Sequence, residues 1–259
     1  MKSSFTIIVS CLIVVLFTLC IYIAFISHQE PYLEVFNSTN TLPLGNGNKG
    51  DFEKGNLKAT EVTYIIEENK INLSGLSDAD LIFEFINSVG KNSYKAIFIT
   101  NTPKNVHPGI EVKNKSMEYV PKFNLSDKKE SLVNYNISAK SIFINLNNLC
   151  SSNFIYDGEY YTHFRDTVKD IDNNNNSDLP LSNIIVQFID KKSGEYNIET
   201  DIGYGVGYLF TKGKGIEIKW YKEDSNPIKL TDNFNSPVFL FSGLTWWVFL
   251  DKSSSIIIN

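Results

Sequence analysis

The chain has 259 residues, with 24 Lys and Arg against 29 Asp and Glu and a formal net charge of −5. Arg165 is the only arginine and the lysines are scattered among carboxylates, which excludes a phosphate-backbone binder built on clustered cations, so no nucleic acid is expected as a partner. Cys11 and Cys20 fall in the apolar start of the chain and only Cys150 lies beyond it, which excludes a disulfide framework for the remainder.

From Ser3 to Ser27 no residue is charged, and the run Phe5 to Ile26 is almost wholly apolar. As a helix it would rise about 33 Å, matching a hydrocarbon core of roughly 30 Å. Residues 1–27 therefore read as a transmembrane anchor. Lys2 holds its short end in the cytoplasm, and the rest of the chain is extracytoplasmic at a cell membrane. A cleaved signal peptide is the competing reading, and a lipidated Cys11 or Cys20 the third. Residues 28–58 hold Pro31, Pro43, Gly45, Gly47, Gly50 and Gly55 without apolar periodicity, which describes a stalk.

The texture changes at Glu61. Val62 to Ile66, Leu81 to Ile86 and Lys95 to Thr100 are β-branched and aromatic, and a helical turn is expected near Ser77 to Ala79. Further strands are expected over 141–146, 183–189, 195–200, 206–211, 215–221, 237–241, 245–250 and 254–258. The fold class is α+β and strongly β-rich, with an antiparallel sheet or barrel-like C-terminal region and an N-terminal transmembrane helix.

Asn183-Ile-Ile-Val-Gln187, Gly203-Tyr-Gly-Val-Gly-Tyr-Leu-Phe210, Gly213, Ile216-Glu-Ile-Lys-Trp220 and Gly243-Leu-Thr-Trp246 together resemble the C-terminal region of the YerB family. Upstream, Gly75-Leu-Ser-Asp-Ala-Asp-Leu-Ile-Phe-Glu84 resembles that family's Gly-Leu-x-x-Ala-Asp-Ile-Val-Tyr-Glu segment. The family consists of bacterial extracytoplasmic proteins, often lipoproteins, with a domain of unknown function. The resemblance implies a shortened N-terminal α/β part at 59–127 and a β-rich C-terminal region at 128–259. Where the family has an Ile-Arg-Ser-Ala-Arg type stretch this chain has Ile110-Glu-Val-Lys-Asn-Lys-Ser, without either arginine. The family's Gly-Gly-Ser-Pro and Pro-His-Asn-Leu-Tyr motifs are also missing, so a pocket built on those residues would be lost.

No Gly-x-Ser-x-Gly elbow, His-Glu-x-x-His, Cys-x-x-Cys or phosphate loop is present. Gly203, Gly205 and Gly207 precede a strand-like segment rather than a helix, so they read as turn or bulge glycines and no cofactor is expected. Asp80 and Glu84 share a face by strand alternation and could act as acid, base or metal ligand; a cap at Ser77-Asp78 and a strand ion pair at Glu84 are the structural readings. Asp170 to Asp178 has oxygen side chains at alternating positions, but Leu181 stands where a calcium loop closes with Glu, so a solvated loop and no metal are expected. His107 and His163 read as surface or turn residues, and Cys150 as a small hydrophobe. Arg165, matched to a family arginine, suits a structural salt bridge or carboxylate recognition. Trp246 belongs to the core by the same match, which leaves Trp247 on the opposite strand face for a partner or glycan.

The expected role is therefore a membrane-anchored, noncatalytic binding or scaffold protein of a bacterial cell envelope, with Glu84, Arg165 and Trp247 as candidate binding residues. Its partners are the membrane, through the N-terminal helix, and an envelope protein or cell-wall glycan. The alternatives are an envelope enzyme using acidic residues on a glycan or peptide, and a structural subunit of a larger assembly.

Overall fold

The computed structural model describes residues 58–66, 72–99, 111–116, 123–126, 132–224 and 226–259. All of them belong to one compact unit, Asp51–Asn259. The expected anchor at 1–27, the stalk up to residue 57 and His107 lie outside the described residues. Among the described residues no helix is long and apolar enough to cross a membrane.

The strands in chain order are β1 (Lys58–Ile65), β2 (Leu81–Ile86), β3 (Asn92–Phe98), β4 (Glu111–Ser116), β5 (Asn124–Leu125), β6 (Ile137–Ser138), β7 (Ser141–Asn147), β8 (Cys150–Tyr156), β9 (Tyr161–Arg165) and β10 (Val168–Lys169). They continue as β11 (Ile171–Asp172), β12 (Ser177–Asp178), β13 (Leu181–Phe188), β14 (Gly203–Thr211), β15 (Lys214–Lys222), β16 (Lys229–Thr231), β17 (Phe239–Leu240), β18 (Leu244–Leu250) and β19 (Ser255–Ile258). The expected helical turn is a 3-10 turn at Leu76–Asp78. A second such turn, Ser193–Glu195, opens the segment where a strand was expected over 195–200. There Asn197 and Asp201 capture backbone amides: Asn197 N–H donates to Asp201 Oδ2 (2.9 Å) and Glu199 N–H to Asn197 Oδ1 (2.9 Å). These side chains offer the backbone a turn in place of a ladder.

The main sheet runs β19-β7-β8-β9-β13-β18-β2-β3-β1-β4 and does not close into a barrel. It is not purely antiparallel either, because β18 lies parallel to both β13 and β2. Strands with parallel neighbours are commonly covered on both faces, and every residue of β13 and β18 is buried. Through β18 the C-terminal region shares a sheet with the strands of the 59–127 region. At β13 the sheet forks, since Leu181 pairs with Tyr161 of β9 while Asn183 to Gln187 pair with β14.

One face of the β18–β2 pair carries Phe83, Trp247 and Phe249, covered by Leu209, Ile218 and Trp220 from β14 and β15 in a single apolar cluster. The glycines of β14 allow this packing and are not turn residues. A Cβ on Gly205 would lie 2.7 Å from Trp220 Nε1, and one on Gly207 would lie 2.1 Å from the Val186 carbonyl oxygen. We expect Gly207→Ala to push β14 off β13 and lower stability by about 1–3 kcal/mol in urea unfolding, whereas an unchanged midpoint would mean that the strands separate freely. The hairpin itself turns at Lys212 and Gly213, with φ of 48° and 72°, the two positive values of a type I′ turn.

Candidate functional site

The other face of the β18–β2 pair meets β8 and β9 across a buried layer of polar side chains. Strand alternation selects the members: Glu84 from β2, Asn92 and Tyr94 from β3, Ser152 from β8, His163 and Arg165 from β9, and Trp246 from β18 all point inward. Asp170, just after β10, joins them, with its N–H donating to the His163 carbonyl (3.1 Å). Glu84, Ser152 and His163 have no exposed surface.

Glu84 is saturated. Its Oε1 accepts from Asn92 Nδ2 (2.7 Å), and its Oε2 accepts from Ser152 Oγ (2.7 Å) and Trp246 Nε1 (2.6 Å). Trp246 reaches it diagonally, because Trp246 pairs with Ile82 and Val248 with Glu84 in the β18–β2 register. Ser152 Oγ also lies 2.8 Å from His163 Nε2, and His163 Nδ1 lies 2.9 Å from Asp170 Oδ2. Asp170 further accepts from Tyr94 OH at Oδ2 and from Arg165 at Oδ1, both at 2.8 Å. His163 stacks on Trp246 with ring centroids 4.1 Å apart and planes at 26°.

The Ser152 hydroxyl has one proton and two neighbours, Glu84 Oε2 and His163 Nε2, so it donates to one of them and accepts from the other. Asp170 and Arg165 form a buried ion pair at 2.8 Å, and His163 bridges Ser152 and Asp170 beside it. Burial works against ionisation of Asp170, but the hydrogen bond and charge of His163, with Arg165 and Tyr94, outweigh it and hold the carboxyl below its ordinary range. Burial, followed by the charges of Asp170 and Glu84, pushes the Tyr94 hydroxyl well above its ordinary value.

Two of the candidate residues named from sequence, Glu84 and Arg165, thus belong to one network. Arg165 forms the expected salt bridge, with Asp170. Asp80 does not join them: it precedes β2, and its Oδ2 accepts the Ile99 N–H at 2.6 Å. His163 is not a surface residue. Nor is the start of the Asn-rich segment a solvated loop. Asp172 accepts from Gly75 N (2.9 Å), Ser77 N (3.0 Å) and Ser77 Oγ (2.6 Å), which ties it to the 3-10 turn, while residues 173–176 and Asp178 are exposed.

Trp247 corrects the expectation of a partner contact. It is fully buried against Phe83 (5.5 Å) and Phe123 (6.1 Å), and its Nε1 donates to Gln187 Oε1 (3.1 Å). The cause is the hairpin β14–β15, which folds back over that face of β18. The sequence reading passes over Ser152 and places Asp170 in a solvated loop, where the structure buries it against His163 and Arg165. The signal available was Ser152 alternating with Phe154 inside a weakly apolar strand.

The Ser152–His163–Asp170 connectivity is that of a nucleophile, base and orienting acid. Its setting opposes that use: the hydroxyl is fully buried and engaged by Glu84, and a substrate carbonyl would have to displace Trp246 or β8 to reach it. Cys150, one turn of the pleat away, is half-buried, and burial followed by the Glu84 charge pushes its thiol up to about 11, which leaves it a poor nucleophile at neutral pH.

A family described as a protein of unknown function (DUF3048), C-terminal domain, matches residues 142–247, the stretch that supplies Ser152, His163, Arg165, Asp170 and Trp246. No curated protein matches the chain. Among solved structures, the YerB protein from Bacillus subtilis is similar at 15 % identity with a TM-score of 0.55, over 80 % of this chain and 97 % of that one; at that identity the likeness is one of fold. The domain match and the shared fold together show that this chain carries a YerB-like domain, a domain of unknown function.

Proposed function

We propose that this protein is a noncatalytic binding or scaffold component of a bacterial cell envelope, held at the membrane by residues 1–27 with its β-rich domain outside. The observation that carries the noncatalytic part is the saturation of the Glu84–Ser152–His163–Asp170–Arg165 chain, in which every acid and base is already paired inside the fold. The anchor rests on the apolar run Phe5 to Ile26 behind Lys2.

Binding is then a matter for the surface. Phe143 and Ile257 are cross-strand neighbours on the outward side of β7 and β19 and are 41 % and 56 % exposed. They lie among Ser141, Asn145, Asn153 and Ser255, and this uncharged strip suits an envelope protein or a neutral cell-wall glycan better than a charged ligand. Photo-crosslinking from position 143 in living cells should capture a defined partner, and Ile257→Asp should abolish that capture at unchanged stability. Capture that ignores Ile257→Asp would remove this strip from the account.

Topology has its own check. Protease added to intact wall-stripped cells should digest the chain beyond residue 28 and leave a small membrane fragment, and protection of the large part would reverse the orientation. The enzyme reading keeps one specific observation in its favour, the Ser152–His163–Asp170 connectivity, and it requires a conformation that uncovers Ser152.

A further inference from the structure

We propose that the buried layer holds one ordered water molecule at the side-chain amide of Asn92, because Asn92 Oδ1 is buried without a hydrogen-bond partner among the described residues while its Nδ2 is committed to Glu84. Asn92 is 4 % exposed, so bulk solvent does not serve the orphan acceptor. Leaving such an acceptor unpaired inside a protein costs about 1–3 kcal/mol, which a water with two or more polar partners recovers.

Turning the amide over does not remove the need. With Nδ2 toward ionised Glu84 the unpaired atom is an acceptor. With Oδ1 toward a protonated Glu84 it is the Nδ2 donor that lacks a partner. Water answers both, since it donates and accepts. Glu84 Oε1, which accepts from Asn92 Nδ2 at 2.7 Å, keeps a lone pair that the water's second proton can use.

A neutral donor is enough for one orphan acceptor and brings no further charge into the layer. Asn92 stands opposite Ile86 at the end of the β2–β3 pair, and Asn147 Nδ2 donates to the Gly90 carbonyl (3.3 Å) in the turn that joins those strands.

Two measurements test this on the full chain. A crystal structure of the unaltered protein should show a single density peak within hydrogen-bond distance of the Asn92 amide. Oxygen-17 magnetic relaxation dispersion should count about one fewer long-lived water in Asn92→Leu, which keeps the side-chain volume and removes the acceptor. No peak, with the amide meeting a protein group instead, would overturn the proposal whether or not the variant folds. A melting temperature that rises with potassium or ammonium at constant ionic strength would overturn it in favour of a cation.

Discussion

Replacing Trp246 with alanine should lower the unfolding free energy by about 3–5 kcal/mol, measured by urea denaturation of the purified protein. The residue is fully buried, stacks on His163, meets Tyr94 edge-on at 4.9 Å and gives its Nε1–H to Glu84. Truncation therefore opens a cavity and also withdraws a donor from a buried carboxylate, and the two penalties act in the same direction. Trp246→Phe separates them, because it keeps most of the volume and loses only the donor. Trp247→Ala should fall in the same range as Trp246→Ala, since its ring is enclosed by Phe83, Phe123 and Phe249. A Trp247→Ala protein of near-normal stability would contradict the packing described here.

Asp170→Asn should cost about 3–5 kcal/mol at neutral pH, the usual penalty for removing one partner of a buried ion pair. His163 and Arg165 would be left facing a neutral amide. The pH dependence has a definite sign. The unfolded chain protonates Asp170 near the ordinary 3.8 and the folded chain only at lower pH, so between the two the unfolded state binds more protons. The contribution of Asp170 is complete above the ordinary value and is lost as pH falls through the depressed one. Asp172, also held low against burial by Ser77 and backbone amides, adds in the same window. The unaltered protein should therefore lose stability steeply on acidification below about pH 4, and Asp170→Asn should flatten that slope. Equal slopes in the two proteins would show that Asp170 is not the group responsible.

The parts of the fold that sequence made legible are those where composition and alternation agree. Val62 to Ile66, Leu81 to Ile86 and Thr245 to Leu250 carry β-branched and aromatic residues, and all but Ile66, just past β1, lie in strands. The assignment of Trp246 and Trp247 to opposite faces also followed from period-two alternation. What alternation cannot give is the layer that covers each face. Trp247 was assigned to a partner because nothing local announces that β14 and β15 fold over it. The parallel pairing of β18 depends on two connections of long range, and no residue within the strand encodes it.

The site was half legible for a related reason. Glu84 stood out as a carboxylate in an apolar strand, and Arg165 as the only arginine. Ser152 and His163 lie in segments rich in Ser, Asn and Tyr, whose texture resembles a loop, because the inward positions of β8 and β9 are themselves partly polar. A buried polar layer hides its strands from any reading based on hydrophobic period. Asp170 and Asp172 were drawn into a calcium-loop comparison by their spacing, although their carboxylates serve Arg165 and the Leu76–Asp78 turn.

The most direct test of the account is labelling of the full-length protein with a fluorophosphonate probe, which modifies activated serines and ignores idle ones. A structural Ser152, fully buried and bonded to Glu84, should remain unlabelled over long incubation, and Ser152→Ala should alter the unfolding midpoint alone. Stoichiometric labelling at Ser152 that is lost in His163→Gln would show a working nucleophile and base, and would contradict the reading of this network as the internal support of a noncatalytic protein.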